Sequence, residues 1–162
     1  MSIFPTKILL ATDGSTGAEL AAETASELAK RTGSELHVVH VFGIMPWYPV
    51  YPEGTALEET EPEELLVEED LQRTSERQAR ELLDTEVEKI GSRGGTVARA
   101  HLGEGGPAQE IVGLAEEMGA GMIVVGSRGL VGIRRALMGN VSDSVVRHAH
   151  CPIMVVRKEK ER

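Results

Sequence analysis

Redox and metal chemistry have little to work with in this 162-residue chain, because Cys151 is its single cysteine. An internal disulfide is excluded, and a cysteine-built zinc cage lacks its ligands. Positive charge is also in short supply. Lys and Arg number 17 against 26 Asp and Glu, a formal net charge of −9, which argues against nonspecific binding to nucleic acid or to an anionic membrane. No apolar run approaches the roughly 18–20 residues of a membrane span. The opening Met-Ser-Ile-Phe-Pro-Thr-Lys lacks the charged-then-apolar pattern of a signal peptide and runs straight into a strand. There is no internal repeat, and no G-x-x-x-x-G-K-[ST] phosphate loop. The expectation is a cytoplasmic protein of one domain over residues 1–162, at the usual ~100–200 residues per domain.

What is present is patterned. Ile8-Leu9-Leu10-Ala11, Val38-Val39-His40-Val41, Met122-Ile123-Val124-Val125 and Ile153-Met154-Val155-Val156 are near-continuous apolar runs. Such runs suit strands covered on both faces, hence a parallel sheet between helices. Residues 96–102 alternate instead, with Arg99 and His101 on one face and Ala98, Ala100 and Leu102 on the other, as in an edge strand. Between the strands lie helical patterns. The first opens at a capping box, Thr16-Gly-Ala-Glu19, carries Ala21, Ala25, Leu28 and Ala29 inward, and stops at Gly33. The second starts near Pro62 and turns Ala79, Leu83, Val87 and Ile90 inward before Gly91. The third starts at Pro107 with Ala108, Ile111, Val112 and Ala115 on one face. The fourth starts near Asn140 and buries Val141, Val145 and Ala149. The alternation of strand and helix describes an open, doubly wound α/β sheet, whose ligands bind at the carboxyl ends of its strands.

Charge is segregated along the chain. From Glu53 to Glu88 there are 14 acidic residues against Arg73, Arg77 and Arg80. From Gly126 onward 8 basic residues face 3 acidic ones, and this basic stretch coincides with a glycine-rich segment. Residues 43–62 form a proline- and aromatic-rich loop: Pro46, Pro49 and Pro52 recur at three-residue spacing around Trp47, Tyr48 and Tyr51. It reads equally as a surface cover, or as a lid or partner contact over 46–52. Residues 158–162 are a charged tail.

The strongest chemical signal is Gly126-Ser127-Arg128-Gly129, then nine residues, then Gly139-Asn140-Val141-Ser142. It follows a buried strand and opens a helix. Glycines admit close backbone approach to an anion, successive N–H groups form a nest of donors, and the helix start adds unpaired donors and a favourable dipole. A plain glycine-rich turn is the competing reading. Gly103-Glu-Gly-Gly-Pro-Ala108 matches G-x-G-x-x-A formally but lacks an acidic residue at the end of the next strand, so it reads as a turn. His37 and His40 have opposite parity in their strand and cannot pair on one face. His148, His150 and Cys151 diverge at a helix end and read as terminal residues rather than as metal ligands.

Four segments in order carry a resemblance: Lys7-Ile-Leu-Leu-Ala-Thr-Asp13, Leu36-His-Val-Val-His-Val41, the Gly-x2-Gly-x9-Gly of 126–139, and His150-Cys-Pro-Ile-Met-Val-Val156. Together they resemble the universal stress protein family over nearly the whole chain. The resemblance implies a Rossmann-like, adenine nucleotide alpha-hydrolase-like fold with five parallel strands in the order 3-2-1-4-5. It implies ATP as the ligand of the branch marked by Gly-x2-Gly-x9-Gly-(Ser/Thr). Ala11, Thr12 and Asp13 would flank adenine and ribose, and Val41 would meet the adenine edge through its backbone. Gly126, Ser127, Arg128 and Gly129 with Gly139, Asn140, Val141 and Ser142 would hold ribose and phosphates. Asn140 departs from the family's Ser or Thr, although Asn caps helices as well as Ser does. Asp13 would meet Mg²⁺ only through the nucleotide. No catalytic base stands out, so the implied role is a nucleotide-dependent regulatory switch in the stress response with little or no hydrolysis. A nucleotide-free interaction module of the same fold is the alternative. A homodimer through Ile153–Val156 would cover an apolar edge strand.

Overall fold

The computed structural model describes residues 2–43, 62–127 and 140–158, with backbone alone for 62–68 and 140. The proline- and aromatic-rich loop, and Arg128, Gly129 and Gly139 of the glycine-rich segment, lie outside the described residues.

Nine elements alternate along the chain: β1 (Lys7–Ala11), α1 (Thr16–Thr32), β2 (Glu35–Phe42), α2 (Pro62–Ser92), β3 (Val97–Glu104), α3 (Pro107–Met118), β4 (Met122–Gly126), α4 (Asn140–His148) and β5 (Ile153–Val156). The strands form one sheet in the order β3-β2-β1-β4-β5, all neighbours parallel. The near-continuous apolar runs are explained by coverage of both faces. On one side Ile8, Leu10, Leu36, Val38 and Val124 pack beneath the alanines of α1 and Leu83 and Ile90 of α2. On the other, Leu9, Val39, Ile123 and Val125 meet Ile111 and Ala115 of α3 and Val145 of α4. Alanines at 18, 21, 22, 25 and 29 let α1 lie close to the sheet, and the left-handed Gly33 (φ 68°) closes that helix.

Three local expectations are corrected. The N-cap of α1 is Ser15, not Thr16: the Ser15 hydroxyl accepts from the Ala18 N–H at 3.2 Å. Glu19 is thereby released from a capping box and pairs with Arg93 at 2.6 Å, joining α1 to the end of α2. In α4 the inward residues are Ser142 and Val145, at 3% and 0% exposure, while Val141 is exposed. The periodicity 141-145-149 and the periodicity 142-145-149 are both helical, and hydrophobicity alone favours the wrong one. Thirdly, β3 does not alternate strictly. Its register against β2 shifts between Leu36 and His37, where Leu36 faces Val97 but His37 faces Arg99. The extra residue, Ala98, reverses the parity, so Val97 and Leu102 pack against the same core.

Among the described residues β5 pairs with β4 alone, and all four of its apolar residues are half-buried. Among the described residues no helix is long and apolar enough to cross a membrane.

Candidate functional site

Strand order reverses between β1 and β4: the chain leaves β1 toward β2 on one side and returns through β4 on the other. In open α/β sheets the crevice that takes a ligand lies at such a reversal, at the carboxyl ends of the strands. Its first wall is the turn after β1, built from small polar residues that satisfy one another. Thr12, 6% exposed, donates its N–H to the Val39 carbonyl at 2.9 Å. Its hydroxyl accepts from the Gly14 N–H at 3.2 Å. The Asp13 Oδ1 accepts from the Ser15 N–H at 2.9 Å, an Asx turn, and Ser15 then caps α1. Gly14 carries φ 76°, and a side chain there would also press on Leu82 of α2. The turn is thus tied down from Thr12 into the first turn of α1, whose N-terminus adds donors and a favourable field for an anion.

The second wall follows β4. A Cβ on Gly126 would lie 2.9 Å from the Gly17 carbonyl oxygen, so glycine at 126 is what lets α1 start this close to the end of β4. The Ser127 N–H continues the sheet by donating to the Val156 carbonyl at 2.9 Å. Ser142, buried in the first turn of α4, donates its hydroxyl to the Ser127 carbonyl at 3.4 Å. That contact brings together the two ends of the glycine-rich segment, although 14 residues separate them in sequence. Ala11, Thr12, Asp13, Gly126, Ser127 and Ser142 are therefore gathered at one edge of the sheet. Val41 stands at the carboxyl end of β2 beside them. Val141, in the first turn of α4, has an exposed side chain. Asn140 is the first residue of α4.

Two histidine contacts escaped the sequence reading. His40 donates from Nδ1 to the Thr12 carbonyl at 2.8 Å, linking β2 to the first turn of the crevice. At the opposite end of β2, His37 is 7% exposed. Its Nδ1 lies 3.1 Å from His101 Nε2, and its Nε2 lies 3.0 Å from Glu35 Oε2. The ring centroids are 5.4 Å apart with planes inclined by 23°, so the rings meet edge to edge in a hydrogen bond. When a neutral His37 donates to the carboxylate, its Nδ1 accepts from His101 Nε2. The His37 hydrogen bond holds the Glu35 carboxyl below its usual range. Burial lowers His101, helped by His37 and Arg99 and opposed by Glu117. The parity rule correctly separates His37 from His40. The placement of β3 beside β2 was the signal that could have joined His37 to His101.

Comparison with known proteins places this geometry. Residues 5–157 match the universal stress protein family. A universal stress protein of Methanocaldococcus jannaschii, MJ0531, is 34% identical over 155 residues, covering 96% of this chain and 84% of the relative. The solved structure of the hypothetical protein MJ0577 superposes with a TM-score of 0.74 at 25% identity, covering 98% of this chain and 99% of that one. A universal stress protein from Archaeoglobus fulgidus, solved in complex with dAMP, gives a TM-score of 0.60 at 25% identity, with 95% and 98% covered.

Proposed function

From the premise that the chain belongs to the universal stress protein family, we propose that it is a regulatory protein that binds ATP or a related adenine nucleotide at the crevice between β1 and β4. The single observation that carries this reading is the Ser142–Ser127 contact, which joins the two described ends of the glycine-rich segment at the strand-order reversal. Nucleotide recognition needs a backbone-lined anion cradle beside a flat crevice for the base. In this reading Gly126, Ser127 and the start of α4 (Asn140, Val141, Ser142), together with Arg128, Gly129 and Gly139, would hold the phosphates. Ala11, Thr12, Asp13 and Val41 would border adenine and ribose. The Archaeoglobus relative bound to dAMP supports an adenine nucleotide as the ligand.

Asp13 already spends one carboxylate oxygen on the Ser15 N–H. Its role toward Mg²⁺ is therefore through the nucleotide rather than as the centre of a carboxylate cage. We assign no catalytic base, and the expected output is a change of shape or partner, with hydrolysis slow or absent. The chain works as one domain in the cytoplasm.

The half-buried apolar residues of β5 favour a second element of the reading, a homodimer paired through Ile153–Val156. A nucleotide-free interaction module remains the rival function, and mass spectrometry of whatever the purified, denatured protein releases separates the two. Adenine nucleotide in the released fraction supports the switch. Its absence, together with no heat on titration with ATP and Mg²⁺, overturns it in favour of the module.

A further inference from the structure

β1 and β2 pair in register from Lys7↔Glu35 to Ala11↔Val39, and the Thr12 N–H donates to the Val39 carbonyl at 2.9 Å. In a parallel ladder the next rung runs from the Val41 N–H to the Thr12 carbonyl. That rung is missing. Pairing stops at Ala11↔Val39, and the Thr12 carbonyl accepts instead from the His40 side chain at 2.8 Å. The Val41 N–H has no substitute partner in β3. Backbone groups two residues apart along a strand point the same way, so Val41 follows Val39 toward β1. Phe42 faces β3, where its carbonyl accepts from the Gly105 N–H at 2.9 Å.

We propose that His40 is a positioning residue for the base. By taking the Thr12 carbonyl it replaces the last rung of the β1–β2 ladder and leaves the Val41 N–H open at the carboxyl edge as a donor for a purine ring nitrogen. The proposal rests on the adenine-nucleotide reading above and adds a selectivity to it. A backbone N–H suits adenine, whose N1 accepts a hydrogen bond, and opposes a 6-oxopurine, whose N1 carries a proton. His40 does this without touching the ligand. A side chain with no donor at position 40 would return the Thr12 carbonyl to the Val41 N–H and zip the cleft shut by one rung.

Amide exchange by NMR on the nucleotide-free protein tests the ladder, and ATP and ITP titrations test the base. The wild-type Val41 amide should exchange quickly although its neighbours Val38 and Val39 are protected. In His40→Leu the same amide should become protected, ATP should bind about tenfold or more weakly, and its advantage over ITP should shrink. His40→Asn, whose amide nitrogen can stand near the position of Nδ1, should restore fast exchange and bind ATP within about threefold of wild type. A protected Val41 amide in the wild-type protein overturns the proposal with no variant needed. A folded His40→Leu that binds ATP as tightly as wild type also overturns it. Wild-type protein that binds neither nucleotide overturns the functional reading and the adenine role together, while the exchange result still decides whether His40 holds the ladder open.

Discussion

Replacing Gly126 with alanine puts a methyl group where only backbone stands. The new Cβ would lie 2.9 Å from the Gly17 oxygen, 3.0 Å from the Gly17 carbonyl carbon and 3.3 Å from the Ala18 nitrogen. These atoms belong to the first turn of α1, so no side chain can rotate out of the way. The helix start must slide off the end of β4, against the packing of Ala18, Ala21 and Ala22 on the sheet. Overpacking of this kind costs about 1–3 kcal/mol. At roughly 2–4 °C per kcal/mol for a chain of this length, Tm should fall by several degrees without any ligand present. Gly113, in the interior of α3, is the control, because a Cβ there meets nothing within 4 Å. Gly113→Ala should raise stability by about 0.5–1 kcal/mol, since alanine loses less backbone freedom on folding. Urea unfolding followed by far-UV circular dichroism, in nucleotide-free buffer, measures both. If Gly126→Ala unfolds at the wild-type midpoint, the close approach of α1 to β4 is wrong and Gly126 serves a ligand alone.

Acid should weaken the protein through the β2–β3 edge. Because His101 is held below the ordinary histidine value by burial first and by His37 and Arg99 next, the unfolded chain takes up its proton before the folded one does. The stabilising contribution is therefore complete above about pH 6.5 and is lost as pH falls below it. Urea midpoints at a series of pH values should show this slope, and His101→Gln should flatten it; an unchanged slope in that variant refutes the assignment. In the glycine-rich segment, Asn140→Ser should alter ATP binding by less than about 1 kcal/mol, because Asn and Ser cap a helix start equally well. Gly129→Val should abolish binding while leaving the circular dichroism spectrum intact, because a β-branched side chain blocks close anion approach. Calorimetry that finds tight binding only after Asn140→Ser would place the native chain among non-binders.

Legibility followed the strength of each physical signal. The four apolar runs announced strands buried on both faces, and the edge position of β3 was visible in its mixed polar pattern, because burial leaves its mark residue by residue. The bulge at Ala98 was not visible, since register is a property of two strands together. Ser15 and Thr16 both offer a capping hydroxyl. The choice fell to Asp13, whose Asx turn places Ser15 at the helix start. The burial of Ser142 departs from the apolar stripe that spacing assigns to α4. Its hydroxyl reaches the Ser127 carbonyl, and that makes a buried serine tolerable where periodicity would have chosen Val141. His40 was hidden for a different reason. Nothing in hydrophobic spacing says that a side chain will take over a backbone rung.

The central claim is that the crevice between β1 and β4 holds an adenine nucleotide, and isothermal titration of the nucleotide-free protein with ATP and Mg²⁺ addresses it most directly. The account predicts saturable heat at one site per chain, lost in Gly129→Val, with adenosine competing for the same site. No heat with ATP, ADP or AMP, from protein that also releases no nucleotide on denaturation, would contradict it.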